Sequence, residues 1–207
     1  MAGVGNLFTT EFYRTALARL KPGGIMAQWF HFYEMDDETL RLVLRSFLSA
    51  FPEATLWYTF SGDVVLLGSA EPISPDFPAI ESALARPGLR EELKRAGIDR
   101  PATLLALQIA SGAGLRAMAG EGPVNRDRFP RLEFRAPRAF FLRKMSDLVF
   151  TLDDSLSPER ASGLILRRYL AARGRGLSRE EYAAILDYHG DYRSPFTLQL
   201  AREYHGA

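Results

Sequence analysis

The sequence predicts an α/β fold in which a short strand-bearing segment is followed by a mostly helical region. Three observations predict it. Helical and strand periodicities alternate over residues 1–71, a Ser61-Gly62-Asp63 turn joins two β-branched and aromatic runs, and beyond Pro72 helical stretches separated by Pro, Gly and Arg take over. The expected organisation is a partial sheet over 1–71, a helical and irregular extension packing on it over 72–140, and a C-terminal helical region over 141–207.

Thr9 or Thr10 caps a first helix that runs to about Leu20, with Glu11 in its first turn and Lys21 near its negative end. Phe12, Ala16, Leu17 and Leu20 recur at helical spacing and form its core-facing stripe. Lys21-Pro22-Gly23-Gly24 stops it, because Pro cannot continue a helix and Gly supplies a left-handed cap. Ile25–Phe30, apolar but for Gln28, reads as a strand covered on both faces, with Trp29, Phe30 and Phe32 as packing residues. Asp36 and Asp37 cap a second helix whose Leu40, Val43, Leu44, Phe47 and Leu48 face a core, and Pro52 ends it. Ala54–Phe60 and Val64–Ser69 then form a hairpin. Helix and strand in this order belong to a doubly wound sheet. The hairpin sets one antiparallel strand in it, the arrangement of a methyltransferase-type Rossmann sheet, and strands at about 25–30, 54–60 and 64–69 make up its distal half.

In the second region, Ile80–Leu84 and Leu89–Ala96 read as short helices, and Pro101 starts a third that runs to about Ile109. Ser111–Gly114 reads as a flexible stretch and Gly120–Pro137 as an irregular, proline-punctuated one. Helices at Pro158–Arg173, Arg179–Tyr188 and Pro195–Tyr204 close the chain, each preceded by a serine in N-cap position. The basic residues at Arg167-Arg168 and Arg173–Arg175, like His189 and His205, sit near helix ends, where the macrodipole favours cations and solvated charge is the expectation.

Composition excludes several function classes. With 26 basic and 25 acidic residues the net charge is +1, too small for a general nucleic-acid footprint. Without cysteine there is no disulfide framework, thiolate metal site or cysteine nucleophile, and three histidines argue against a His-rich metal cage. The apolar runs fall far short of the ~20 residues a membrane helix needs, and the first residues lack the pattern of a signal peptide. A soluble, cytoplasmic protein with no membrane segment and no nucleic-acid partner is expected. No dinucleotide fingerprint follows a strand: Ser111-Gly112-Ala113-Gly114 comes after a helix, and Gly3-Val4-Gly5 has no strand before it.

Two segments carry a resemblance. GVGNLFTTEFYRTALARLKPGGIMAQWFHFY, residues 3–33, resembles the part of spermidine synthase-like proteins that follows their active-site loop: a helix opening with Leu-Phe-Thr and Glu-Phe-Tyr, a Lys-Pro-Gly-Gly stop, and a strand carrying a Gln. The similarity continues through 37–51 and 54–69. It returns in PVNRDRFPRLEFRAPRAF, residues 123–140, which resembles the Asn-x-Asp-x-x-Pro-x-Leu-Glu-Phe block of larger bacterial members, some fused to membrane segments. The resemblance implies a parent that transfers an aminopropyl group from decarboxylated S-adenosylmethionine to a polyamine. It also implies that the Gly-rich nucleotide turn, the ribose-binding acid and the Asp-rich catalytic loop lie upstream of these residues. The chain is therefore expected to be the distal part of such a protein, binding no cofactor alone, with decarboxylated S-adenosylmethionine or S-adenosylmethionine as the parent's cofactor. Phe30 stands two positions after Gln28, where the diamine-binding enzymes have an acid, which leans toward a methyltransferase with another acceptor.

Candidate substrate-binding residues are Gln28 at the carboxyl end of its strand, His31 and Tyr33 just beyond it, Asp63 in the hairpin turn, and Asp127 and Glu133 in the later block; none is assigned a catalytic role. All but Tyr33 have a competing structural reading: a satisfied buried amide for Gln28, a structural histidine for His31, a turn hydrogen bond for Asp63, and fastening of the segment, with Arg126, Arg131 and Arg135, for Asp127 and Glu133. The strand at 25–30 is expected to pair with 64–69 on one side and leave its other edge open. A homodimer, or assembly with an N-terminal half, through that edge is the expected partnership. The alternative is a non-enzymatic interaction module whose terminal helices expose Leu164, Leu166 or Ile185 to a partner.

Overall fold

Thr9 Oγ1 accepts a hydrogen bond from the Phe12 N–H at 3.2 Å and opens α1, Thr10–Arg19, immediately after a 3-10 turn at Gly5–Phe8. The computed structural model describes residues 4–59, 62–142, 146–151, 158–189, 201, 202, 204 and 205. Next come β1 (Met26–His31), α2 (Asp37–Leu48), β2 (Glu53–Tyr58), β3 (Asp63–Ser69), α3 (Phe77–Leu84), α4 (Pro87–Arg95) and α5 (Pro101–Leu105). They are followed by β4 (Gln108–Ser111), α6 (Gly112–Ala119), α7 (Arg131–Phe141), α8 (Leu148–Thr151), α9 (Pro158–Ala161), α10 (Ile165–Arg173) and α11 (Arg179–Tyr188). The chain forms two compact units, 1–73 with 110–152 and 74–109 with 153–207. The block expected at 72–140 is thus shared between them. Among the described residues no helix is long and apolar enough to cross a membrane.

The strands form a four-stranded sheet in the order β1-β3-β2-β4, of which β1, β2 and β3 belong to the first unit. β3 runs antiparallel to both neighbours, with Gln28 opposite Leu66 and Leu66 opposite Leu56, so β1 and β2 point the same way. The three expected strands are present within two residues of their expected bounds, and β1 pairs with β3 as expected. Gln28, Phe30, Leu56, Val64 and Leu66 share the face that meets the helices, and all of them except half-buried Gln28 lie in the core. α2 packs beside it: Asp36 Oδ1 accepts from the Thr39 N–H at 2.8 Å to start the helix, and Leu40, Val43, Leu44 and Phe47 are fully buried. Gly68 belongs to the same face. A Cβ there would lie 2.6 Å from the Phe47 ring and 2.7 Å from Phe51, two rings stacked 4.7 Å apart, so only glycine lets them close on the strand.

The opposite face overturns one expectation. Ile25 is 48% and Trp29 54% exposed, and Ala27 is exposed as well, so β1 is covered on one face and not two. An unbroken apolar run records what a strand tolerates; whether a second layer lies over it is decided by elements elsewhere. Phe30 and Phe32 are buried as expected, whereas Trp29 is not.

Further departures lie beyond Pro72. The helix from Pro101 stops at Leu105, and Gln108–Ser111 pairs as β4, because a short apolar run suits strand and buried helix alike. Ser111–Gly114 is not a loop and follows a strand, not a helix: Ser111 ends β4, and Gly112 begins α6, which packs Leu115 and Met118 into the core. The irregular stretch ends earlier than expected, since α7 begins at Arg131 with Pro137 inside it. The helix expected over 158–173 is broken at Ser162-Gly163-Leu164 into α9 and α10. Of the helix expected at 195–204, only residues 201, 202 and 204 are described, and these three are helical.

In the second unit α5 packs against α10 and α11. The Ile165 N–H, first in α10, donates to Oε1 of buried Gln108 at 2.6 Å, a cap supplied by a residue distant in sequence. Ser178 opens α11 with a capping box: its Oγ accepts from the Glu181 N–H at 3.3 Å, and its own N–H donates to Glu181 Oε2 at 2.8 Å. Arg173 is a structural anchor and not a solvated charge. Its guanidinium donates to Glu181 at 2.8 and 3.3 Å and lies over the Tyr169 ring at 4.9 Å. His189 is 2% exposed, and burial lowers its pKa to about 4, so it is neutral at pH 7 and cannot compensate a helix dipole.

Candidate functional site

The sequence candidates fall into two clusters and an outlier. On β1, side chains alternate between faces, which separates Gln28 from His31. Gln28 faces the core side with Phe30, half-buried, and its Nε2 donates to the Trp29 carbonyl at 3.0 Å, the satisfied-amide reading. Phe30 is 1% exposed inside the core. Its side chain is therefore turned away from the exposed face of β1.

His31, Tyr33 and Asp63 come together at the carboxyl end of β1. Asp63 is the register partner of His31 across the β1–β3 pair. The His31 ring stacks on Tyr33 at 4.2 Å and 19°, and its Nδ1 lies 2.8 Å from the Tyr33 carbonyl. A carbonyl only accepts, so Nδ1 carries the proton and Nε2 is left as the basic nitrogen. Trp29 tilts toward the imidazole at 6.1 Å. Tyr33 also closes over the turn, where a Cβ on Gly62, at φ +93°, would lie 2.9 Å from its ring. Asp63 Oδ1 is buried and has no hydrogen-bond partner among the described residues. A turn aspartate usually caps its own backbone; this one has a carboxylate oxygen left over at the position opposite His31. Chemically the cluster combines a proton acceptor, a negative charge and aromatic faces, a set suited to a cationic or hydrogen-bonding ligand.

Asp127 and Glu133 belong to a separate cleft of about 590 Å³, lined by Asn6, Thr9, Glu11, Phe12, Asp127 and Glu133, among others. Glu11 is the member that sequence reasoning left out as a ligand-facing group. Burial opposes its ionisation, yet hydrogen bonds from backbone N–H groups, Asp127 among them at 3.2 Å, and from Thr10 Oγ1 at 2.9 Å outweigh this. Together with nearby Arg126 they hold its carboxyl below the usual range. Glu133 has a structural duty: its Oε1 accepts the Gly5 N–H at 2.7 Å, and a Cβ on Gly5 would lie 2.6 Å from that oxygen.

The segment is fastened chiefly by Asn125, wholly buried, which the sequence offered only as part of a quoted motif. Nδ2 donates to the Gly5 and Phe8 carbonyls at 2.9 and 3.3 Å, and Oδ1 accepts from Leu132 N–H at 3.1 Å. Its backbone N–H donates to Ser46 Oγ at 2.8 Å, and its carbonyl accepts from Thr10 N–H at 2.9 Å. One residue thereby ties the 3-10 turn, α1, α2 and α7 together. Arg45 does similar work on α2, donating to the Pro123, Ala119 and Glu121 carbonyls at 2.8 to 3.1 Å. Helical spacing marked neither residue. An Asn following Pro-Val in a loop, and an Arg set between Leu44 and Phe47 on the core-facing helix, were the available signals.

Among the described residues, the exposure expected of a partner groove at Leu164, Leu166 or Ile185 is absent. Leu164, Leu166 and Ile185 are 3%, 3% and 0% exposed. No group of histidine and carboxylate side chains among the described residues is placed to hold a metal ion. Comparison of the chain with family models, with curated proteins and with solved structures finds no match.

Proposed function

We propose that this chain is the distal part of a spermidine synthase-like protein of the methyltransferase fold, whose parent transfers an aminopropyl group from decarboxylated S-adenosylmethionine to a polyamine. The observation that carries the reading is the order β1-β3-β2, with β3 antiparallel to both neighbours and β1 at the end of the sheet. A hairpin folded back so that its second strand lies between the first and the preceding strand is what the reading expects at the distal end of such a sheet. The resemblance of residues 3–33 and 123–140 supports the same reading. On this reading the end of β1, with His31, Tyr33 and Asp63, and the Glu11–Asp127 cleft wall the acceptor side of the parent's site. The 207 residues alone bind no nucleoside cofactor, and the outer edge of β1 takes an N-terminal half or a second copy of the chain.

A second reading keeps the fold and changes the acceptor, as in an S-adenosylmethionine-dependent methyltransferase. The burial of Phe30 favours it, because nothing at that position offers a carboxylate to a diamine.

Calorimetry and reconstitution test the proposal. The chain alone is expected to bind neither S-adenosylmethionine nor its decarboxylated form. Co-expressed with the upstream half of a spermidine synthase-like protein, it is expected to co-purify and to support aminopropyl transfer. Tight nucleoside binding by the chain alone, or failure to associate with that half, refutes the reading. Methyl transfer without aminopropyl transfer selects the second.

A further inference from the structure

The loop before α7 and α7 itself carry a surface that none of the preceding chemistry uses. Between residues 126 and 142 the sequence has five basic and two acidic residues, whereas the remainder of the chain has 21 basic and 23 acidic. An almost neutral protein thus concentrates its positive charge on one short stretch. The two acids within it do not cancel that charge evenly, because Glu133 is turned inward to the Gly5 N–H.

The exposed arc of α7 is defined by what is buried. Leu132 and Ala136 face the core at 0% and 7% exposure. At 100° per residue the opposite side is centred on Phe134 and Phe141, with Arg131, Arg138, Arg135 and Leu142 beside them. Phe134 is 77%, Phe141 80% and Leu142 55% exposed. Phe129, 60% exposed just ahead of the helix, has the Arg128 guanidinium 5.9 Å from its ring centre. Large apolar side chains left this open at the centre of a basic arc are unusual for a surface that meets only water.

We propose that this face docks on an anionic lipid bilayer, with α7 lying in the plane of the headgroups. The phenyl rings and Leu142 would enter the boundary of the acyl chains, and the flanking arginines would meet acidic headgroups. Charge complementarity selects the occupant, and the shape of the surface narrows it further. A convex helix of about 16 Å offers no groove to track a single strand of nucleic acid, while Phe and Leu bring area without hydrogen-bonding groups. The helix is too short to span a bilayer, so the contact is peripheral. The inference stands independently of the proposed transferase reading.

The test is sedimentation of the full chain with phosphatidylcholine vesicles containing about one third phosphatidylserine, against pure phosphatidylcholine vesicles. Binding to the acidic vesicles alone, weakening with added salt, is expected. The double variant Phe134→Ala/Phe141→Ala is expected to lose it, and Arg131→Gln and Arg138→Gln each to weaken it about fivefold. Circular dichroism is expected to be unchanged in all of them, since these side chains are exposed. Trp29→Ala, which removes an exposed aromatic side chain on β1, is expected to bind like the wild type. Equal binding to neutral vesicles, or loss of binding with Trp29→Ala but not with the α7 variants, overturns the proposal. So does tighter retention on a single-stranded oligonucleotide at the same salt, or a dimer in light scattering that the phenylalanine variants abolish.

Discussion

Replacing Asn125 by alanine removes the amide that joins the 3-10 turn, α1 and α7, and the structure fixes what is lost. Two backbone carbonyls, Gly5 and Phe8, lose a donor, and the Leu132 N–H loses its acceptor. All three bonds are buried, at a residue with no exposed surface. At about 1 kcal/mol net for each bond the cost is about 3 kcal/mol, and more if no water re-enters to satisfy the orphaned groups. That corresponds to a melting shift of about 10 °C in the first unit. Asn125→Asp separates hydrogen bonding from volume. It keeps an acceptor for Leu132 but sets a carboxylate against two carbonyl oxygens, so it is expected to be at least as damaging as alanine at pH 7 and to recover in acid as the carboxyl protonates. Urea denaturation followed by tryptophan fluorescence reads the first unit, because Trp29 and Trp57 both lie in it. A loss below about 1 kcal/mol for Asn125→Ala, or an Asn125→Asp variant as stable as wild type at pH 7, refutes the claim that this amide holds the segment.

Gly68→Ala drives a methyl into the Phe47 and Phe51 rings and is expected to cost about 3 kcal/mol; Phe47→Leu in the same chain should restore part of it, and simple additivity of the two changes in urea denaturation counts against the contact. His189, with its pKa lowered from 6.5 to about 4 by burial, makes the second unit pH-dependent. Above pH 6.5 it contributes no slope. Below that the unfolded chain takes up the proton first, so stability falls between pH 6.5 and about 4 by about 3 kcal/mol. His189→Leu should flatten that segment of the stability profile, and an unchanged slope would show that another group is responsible. Glu181→Gln leaves the Arg173 guanidinium with half its partner and weakens the Ser178 capping box; a loss of about 2 kcal/mol in thermal unfolding is expected, and a change under about 0.5 kcal/mol would mean that the pair holds nothing.

Much of the candidate site was legible as residue types and little of it as geometry. His31 and Tyr33 adjoin in sequence, so their association needs only a strand end. Asp63 joins them because the hairpin register sets it opposite His31, which the two-residue repeat of the strands and the tight turn make readable. Gln28 carried no comparable signal, since the face it occupies depends on which side of β1 the helices cover. Asp127 and Glu133 were visible as loop carboxylates. Their separation from the strand cluster, and the place of Glu11 beside them, depend on the distant tie between Asn125 and the 3-10 turn.

Local patterning determined where α1, β1, α2 and the hairpin form: capping side chains at Thr9 and Asp36, the Pro-Gly-Gly stop, and alternation in the hairpin act over a few residues and survive in any context that buries one face. Tertiary structure decided the rest. Residues 108–111 form a strand because β2 offers them a partner. Residues 112–119 form a helix, two glycines notwithstanding, because Leu115 and Met118 find a core beside α2. Trp29 stands in water because no described element lies over it. Hydrogen-bond partners and covering layers come from residues scores of positions away, and the free energy they contribute exceeds the few tenths of a kcal/mol by which ~most local propensities differ.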